Sequence, residues 1–559
     1  MSKDAPDNPG PPASGLSKET SGAMAAAIRL IFGFTLVSRV LGLGREVLTA
    51  RVLGDTAVGS AFAAAFVVPN LFRRLFGEGA LSAAFLPEYA RLVKADPELS
   101  RRLASLILAL LVLVSGSITL IAELGLLAVL RFAEPGESAA LSIRLTMLML
   151  PMMPMVCLTA ILGGMLQAHG KFGPPAAAPV VLNVLMIAGC GVYFVSPKAS
   201  GETVAYWVGS AAVLASVLQI VWSMAALRSL GDKARLTRDW RVARDSAMVV
   251  AARFGPVVVG LGALQLSTAL DQLIAMWPIW VGPTMFGFPG PLDERSNSIL
   301  AAASRFYQFP LGVFGLAVAT AVFPLLSRAA SDPREFAVTL RRGVRISLLV
   351  GLPAAVGLML VADHLTHVML AGGTQGGPGY RPDGVFRAAG VLTGFAPAVW
   401  AYSLNNVLTR AFYARGDTRT PMVVSLFSVG LNLALTLVLI WPLGEAGMAW
   451  AAAGSATFQF LLLHTLLRRR QGVVAFDDET ARGCLGIAMC TAVMAGVLIA
   501  ARFAMPTPLG WWGWAWQTGV LIVAGGGTFA VVALARRLPE LRWLTQRGPT
   551  GGAGAYLSE

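Results

Sequence analysis

The chain is 559 residues long, 56% hydrophobic and 13% charged. Soluble domains carry roughly 25% charged residues, so the composition points to a polytopic membrane protein with little room for a separate soluble domain. The formal net charge of +14 would suit nucleic acid, but the basic residues concentrate in short loops between apolar runs, where topology accounts for them and no nucleic-acid partner is expected.

Residues 1–22 are charged and rich in Pro, Gly and Ser, and read as a disordered cytoplasmic tail. They lack the framed apolar core and cleavage site of a signal peptide. A membrane-spanning helix takes about 20 apolar residues. The pattern predicts fourteen, at about 24–44, 55–76, 104–132, 140–167, 174–196, 204–228, 247–281, 298–326, 343–362, 386–412, 420–442, 446–467, 483–503 and 511–535. Residues 541–559 read as a second cytoplasmic tail.

With the N-terminus inside, the inward loops hold Arg228, Lys233, Arg235, Arg341, Arg342, Arg468, Arg469 and Arg470, whereas Pro442–Gly447 and the other outward loops are poor in charge. This positive-inside pattern leaves both termini cytoplasmic. Arg45 and Arg51 fall on the side that should lack charge, which favours a functional reading of Arg45. Trp511, Trp512, Trp514 and Trp516 open the last span and read as an interfacial aromatic belt.

Four arginines sit in or at the edge of spans: Arg39 and Arg45 in the first, Arg73 at the end of the second, Arg305 in the eighth. A guanidinium at the bilayer centre costs roughly 2.5–3.5 kcal/mol. As a group they point to an anion bound in a polar cavity between helices, and the guanidinium fork suits a diphosphate. The competing reading is that each snorkels or pairs with an acid. On a straight helix Arg39 and Arg45 diverge by about 120°, so sharing one ligand needs a bend, for which Gly42 and Gly44 are candidate points, or a cavity that wraps the helix.

Asp271 is the sole acid in Val257–Ile279. It either pairs with an arginine or belongs to a Na⁺ or H⁺ site, with Asn432 and Ser428 four residues apart on span 11. Cys157, Cys190, Cys484 and Cys490 all lie in apolar stretches without metal spacing. No nucleophile–base pair, phosphate loop or ligand cluster appears, so neither an enzyme nor a cofactor is expected beyond Na⁺ or H⁺ coupling.

The chain also repeats. Ala168-His-Gly170 with Pro175 recurs as Ala414-Arg-Gly416 with Pro421, Leu182-Asn183 recurs as Leu431-Asn432, and Pro69 with Pro87 resembles Pro310 with Pro324. Six spans per repeat is an even number, so the halves are parallel, as in transporters that bind substrate between them. The expected organisation is 23–245 and 246–470 as two lobes, 471–540 as two further spans, and a tail at each end.

Three stretches carry a family resemblance. Ser38-Arg-Val-Leu-Gly-Leu-Gly-Arg45, Pro69-Asn-Leu-Phe-Arg-Arg-Leu-Phe-Gly-Glu-Gly-Ala80 with Phe85-Leu-Pro87, and Arg305-Phe-Tyr-Gln-Phe-Pro310 closely resemble the MurJ (MviN) family of the MOP exporter superfamily. The resemblance implies an all-helical lipid II flippase of the bacterial inner membrane. Its two six-helix lobes would form a V-shaped cavity, and its last two spans would border a groove for the polyprenyl tail. It places cavity arginines at Arg39, Arg45 and Arg305, further motif positions at Arg73 and Glu78, and a cation site at Asp271 with a partner near Asn432. The implied partners are lipid II and membrane lipids, with cell-wall synthesis proteins as further candidates, and the implied state is a monomer. The chain departs from the family pattern at Ser60, Ser304 and Gln308, where acids are usual, so the cavity is expected to be more positive and its charge-pair gating altered. The loop Gly282–Asn297 is longer than usual. The alternatives are another exporter of the superfamily, carrying a polyprenyl-linked glycan or a cationic drug, and a non-transporting scaffold for cell-wall synthesis.

Overall fold

The computed structural model describes residues 18–73, 80–196, 199–231, 236–237, 241–372 and 379–545. Helix α1 (Lys18–Leu53) begins inside the stretch read as tail and runs unbroken through Gly42 and Gly44, so neither glycine interrupts it. Thr56 caps α2 (Ala57–Phe72) by accepting from the Gly59 N–H. Then follow α3 (Ala80–Ala95) and α4 (Pro97–Phe132), the latter started by the Asp96 cap and Pro97. The fourth predicted span is two helices, α5 (Glu137–Met149) and α6 (Met152–Ala168). The fifth is α7 (Gly173–Cys190) with a short α8 (Val192–Val195), and the sixth is α9 (Gly201–Arg228).

The second half opens with α10 (Arg244–Ala275) and α11 (Trp277–Trp280). The long loop then folds as a hairpin, β1 (Thr284–Met285) against β2 (Phe288–Pro289). Phe286 and Gly287 at its tip both have positive φ, the backbone of a type I′ turn. The eighth span is α12 (Ser296–Pro310), a π turn over Leu311–Gly315, and α13 (Leu316–Arg328). The remainder is α14 (Pro333–Leu370), α15 (Pro382–Phe395), α16 (Ala398–Ala414), α17 (Arg419–Leu443), α18 (Glu445–Gln471), α19 (Asp478–Ala504), α20 (Gly510–Ala535) and α21 (Pro539–Thr545).

Among the described residues ten helical segments are long and apolar enough to cross a membrane. Adding α1, α2, α10 and α12–α13, which are shorter, broken or more polar, restores the fourteen predicted spans. The protein is an all-α, multi-pass membrane protein.

The repeat is visible in the backbone. α6 and α16 both end in a left-handed glycine, Gly170 at φ 75° and Gly416 at φ 78°. In both turns the N–H after the glycine reaches five residues back, Lys171 to the Leu166 carbonyl and Asp417 to the Phe412 carbonyl, closing a Schellman motif. The second spans match too: α2 and α3 each contain a proline, Pro69 and Pro87, as do α12 and α13 with Pro310 and Pro324.

Apolar burial follows the same division. Phe62, Leu145, Met149, Met186 and Val208 pack α2, α5, α7 and α9 together, while Phe336, Leu340, Phe412 and Leu463 do so for α14, α16 and α18. α19 and α20 lean on α14 through Val361, Met494, Leu498 and Leu521. α21 straddles the start of the residues read as tail, and it docks: Glu540 is fully buried and accepts from Arg345 Nε at 2.6 Å, with the Trp543 ring 4.9 Å from that guanidinium. The tryptophans of α20 are not a uniform belt. Trp512 and Trp516 are exposed, but Trp514 stacks on His367 with ring centroids 3.9 Å apart.

Candidate substrate cavity

α1, α2, α6, α7, α9 and α12 enclose a cavity of about 400 Å³. Three of the four candidate arginines line it, Arg45 and Arg73 from the first half and Arg305 from the second. Arg45 is buried, with Nη1 donating to Met186 Sδ at 3.4 Å and the Phe66 ring 5.4 Å from its guanidinium. Arg73 donates from Nη2 to Asn70 Oδ1 at 3.0 Å.

Glu46 holds the two halves of this cluster. It pairs with the Arg45 guanidinium, and its Oε1 lies 3.7 Å from Arg305 Nε. That nitrogen is buried and makes no hydrogen bond among the described residues. Sequence reasoning passed over Glu46 because neighbouring residues on a helix point about 100° apart. Long side chains close that gap, and an acid directly after Arg45 was the available signal.

Arg39 faces an adjoining hollow of about 450 Å³ that shares Ser38, Arg73, Gln167, Pro175 and Pro179 with the first. Its guanidinium crosses to the π turn of the other half, where a Cβ on Gly312 would stand only 2.7 Å from Nη1. The polar space therefore wraps α1, and the divergence of Arg39 and Arg45 is met without a break in the helix. Glu78 lies outside the described residues.

Asp271 is buried between α10 and α17. Its Oδ1 accepts from Asn432 Nδ2 at 3.0 Å, with Thr436 Oγ1 at 3.5 Å. No arginine pairs with it among the described residues. Ser428 is not part of this cluster; it donates to the Ser455 carbonyl at 3.1 Å. Thr436, four residues beyond Asn432 rather than four before it, takes the place expected for Ser428. No group of three or more His, Cys, Asp or Glu capable of holding a metal occurs among the described residues. Asn432 turns its N–H rather than its oxygen toward this point, so a cation at Asp271 would be held by one carboxylate with the Thr436 and Ser267 hydroxyl oxygens, a donor set that suits Na⁺ better than a transition metal.

The repeat gives this cluster a counterpart. Asn432 also donates to Ser267 Oγ at 3.1 Å, so it clasps positions 267 and 271 of α10. Asn183 on α7 clasps α1 the same way: Nδ2 donates to the Ser38 carbonyl at 3.0 Å and would lie 3.4 Å from a Cβ on Gly42. Gly42 is therefore the first-half equivalent of Asp271. A Cβ on Gly44 would meet nothing within 4 Å.

At the end where α1 finishes, the halves are latched. Asp55, 1% exposed, accepts from Arg295 Nη1 at 3.0 Å and from the Arg381 N–H at 3.0 Å. Arg295 also donates to Asp383 at 2.8 Å. Arg387 takes both oxygens of Asp293, at 2.7 and 3.0 Å, and reaches Glu445 at 2.6 Å. Burial alone would raise the Asp293 carboxyl, but Arg387 and Arg295 hold it well below the usual carboxylate range. Arg51 donates to the Val368 and Met369 carbonyls at the end of α14, at 2.7 and 2.9 Å. That capping of a helix C-terminus explains a charge that topology did not.

A family described as lipid II flippase MurJ matches residues 49–511. The chain belongs to the MurJ family. It is 31% identical over 478 residues to the probable lipid II flippase MurJ of Rhizobium tropici, covering 84% of this chain and 85% of that protein. It is 30% identical over 503 residues to the probable lipid II flippase MurJ of Vibrio cholerae serotype O1, covering 86% and 90%. A solved lipid II flippase MurJ in an inward closed conformation superposes with a TM-score of 0.70 at 21% identity, covering 91% of this chain and 99% of that one. An inward-facing MATE transporter of the MOP superfamily follows at 0.63 and 14%, covering 80% and 98%.

Against the MurJ pattern, the departures acquire structural reasons. Ser60 is fully buried; its Oγ accepts from the Ser298 N–H at 3.0 Å and its carbonyl from Asn297 Nδ2 at 2.9 Å. Ser304 donates to the Ala301 carbonyl at 2.8 Å. Among the described residues the cavity keeps one internal counter-ion, Glu46.

Proposed function

We propose that the chain is a lipid II flippase working by alternating access in the bacterial inner membrane. The observation that carries this reading is the convergence of Arg45, Arg73 and Arg305, from both halves, on one cavity latched at one end. Among the described residues, three guanidiniums against one carboxylate leave a fixed positive field in a low-dielectric space, where a diphosphate gains bidentate, charge-assisted hydrogen bonds. Family membership supports the same substrate.

With both termini cytoplasmic, the latched end is periplasmic and the cavity receives the head group from the cytoplasm. Residues 23–245 and 246–470 rock as lobes, while the polyprenyl tail stays in lipid beside α19 and α20. Na⁺ or H⁺ at Asp271, or the membrane potential at about 2.3 kcal/mol per unit charge per 100 mV, resets the carrier. The work is transport, with no bond made or broken.

Depletion of the protein in its host tests this. Lipid II should accumulate in the cytoplasmic leaflet, and Arg39→Ala, Arg45→Ala and Arg305→Ala should insert normally yet fail to restore flipping. Full rescue by all three would remove the arginines from the mechanism. A purified protein that binds lipid II in vesicles but never moves it would be a scaffold.

A further inference from the structure

The cavity has two unlike faces. α1, α2 and α12 supply Arg45, Arg73, Arg305 and Glu46, whereas the wall from α6, α7 and α9 contributes no charged side chain. Three polar groups of that wall have spent a proton on main-chain carbonyls. Asn183 Nδ2 donates to Ser38 at 3.0 Å, Gln219 Nε2 to Ala178 at 2.8 Å, and Ser216 Oγ to Ala212 at 3.1 Å.

These bonds orient both amides, because only the N–H end of an amide can face a carbonyl. Asn183 Oδ1 and Gln219 Oε1 are left as acceptors. Neither makes a hydrogen bond among the described residues, and neither is sealed in as a buried orphan. The residues themselves are only 5% and 8% exposed. Two amide carbonyls held this way on an uncharged wall are poorly solvated until a ligand donates to them.

We propose that Asn183 and Gln219 are specificity residues that accept hydrogen bonds from uncharged donors of the cargo, the hydroxyl and N-acetyl amide N–H groups of the sugar joined to the diphosphate. This rests on the flippase reading above and deepens it. The α1–α2–α12 face holds the anion; the α7–α9 face reads what the anion is attached to. A cationic cargo meets three guanidiniums and is repelled. An anionic lipid without a sugar leaves both carbonyls unpaired, and a site built to pair such groups discriminates against ligands that lack the donor.

The test compares binding of lipid II and of undecaprenyl diphosphate, which has no sugar, to the purified full-length protein. Wild type should bind lipid II more tightly. Gln219→Met keeps length and packing but removes the acceptor, and should lower the affinity ratio of lipid II to undecaprenyl diphosphate about tenfold. Asn183→Leu should act in the same direction, with a melting curve to confirm folding; if it unfolds by freeing α1, Gln219→Met decides alone. Equal wild-type affinity for the two lipids would overturn the proposal, as would an unchanged ratio in a folded Gln219→Met. Arg45→Ala separates the two readings, since it should weaken both lipids alike. If it weakens neither while Gln219→Met still shifts the ratio, the arginine assignment fails and the sugar-reading wall stands. Binding of neither lipid by wild type would overturn both.

Discussion

Asp55 and Arg295 lie 240 residues apart in sequence, and their 3.0 Å contact joins the first half of the chain to the second. Asp55 is 1% exposed while the Arg295 side chain is 21% exposed, so the pair is worth something between a surface and a fully buried bridge, about 1–3 kcal/mol. Asp55→Asn should loosen the latched end by that amount. A cysteine at Ser304 in an otherwise cysteine-free chain should then become open to an impermeant maleimide from the periplasmic side. Gly384→Ala should do the same, because its Cβ would collide with Asp55 Oδ2.

Glu46 sits between Arg45 and Arg305 and competes with the cargo for both. Glu46→Gln should tighten binding of a lipid diphosphate several-fold and slow its release. Equilibrium binding and flipping rate, measured on the same preparation, should move in opposite directions.

At the buried acid, geometry ranks three substitutions. Asp271→Asn should abolish dependence of flipping on Na⁺, pH or potential while leaving lipid II binding intact. Thr436→Val should weaken that dependence through the loss of one oxygen ligand. Ser428→Ala should leave it unchanged, since that hydroxyl is committed to Ser455. Flipping in proteoliposomes across imposed gradients separates the three.

The Asp293 carboxyl is depressed from its ordinary value of 3.8 by Arg387 and Arg295 against the effect of burial. A depressed carboxylate stabilises above its unfolded value and loses that contribution as pH falls through the folded one. The thermal stability of the purified protein should therefore be unaffected by titration of Asp293 above pH 3.8 and fall only below it. Asp293→Asn should produce the acid phenotype at neutral pH.

Much of this was legible in the chain. The expense of placing arginine in lipid singled out Arg39, Arg45, Arg73 and Arg305, and three of these line one cavity. Apolar run length found the spans. It missed α3 because Glu88, Arg91 and Lys94 make that helix too polar for a hydropathy criterion. Ser428 and Thr436 flank Asn432 at equal spacing on one helix face, so periodicity did not distinguish them; their partners do, Asp271 for Thr436 and the Ser455 carbonyl for Ser428. The latch was illegible for a different reason: Asp55, Arg295 and Arg381 come from three separate loops, and only the tertiary fold brings them into contact.

The paired asparagine clasps divide labour between twin halves. Asn432 grips a position occupied by an acid, and Asn183 grips the matching position where glycine leaves a hole. In the proposed cycle, fuel is taken up at one twin and freight is seated beside the other, at homologous addresses. Such a machine has no need of a wire between distant sites. Whatever shifts α10 against α17 changes the same joint that, in the sister half, sets how α1 presents its guanidiniums.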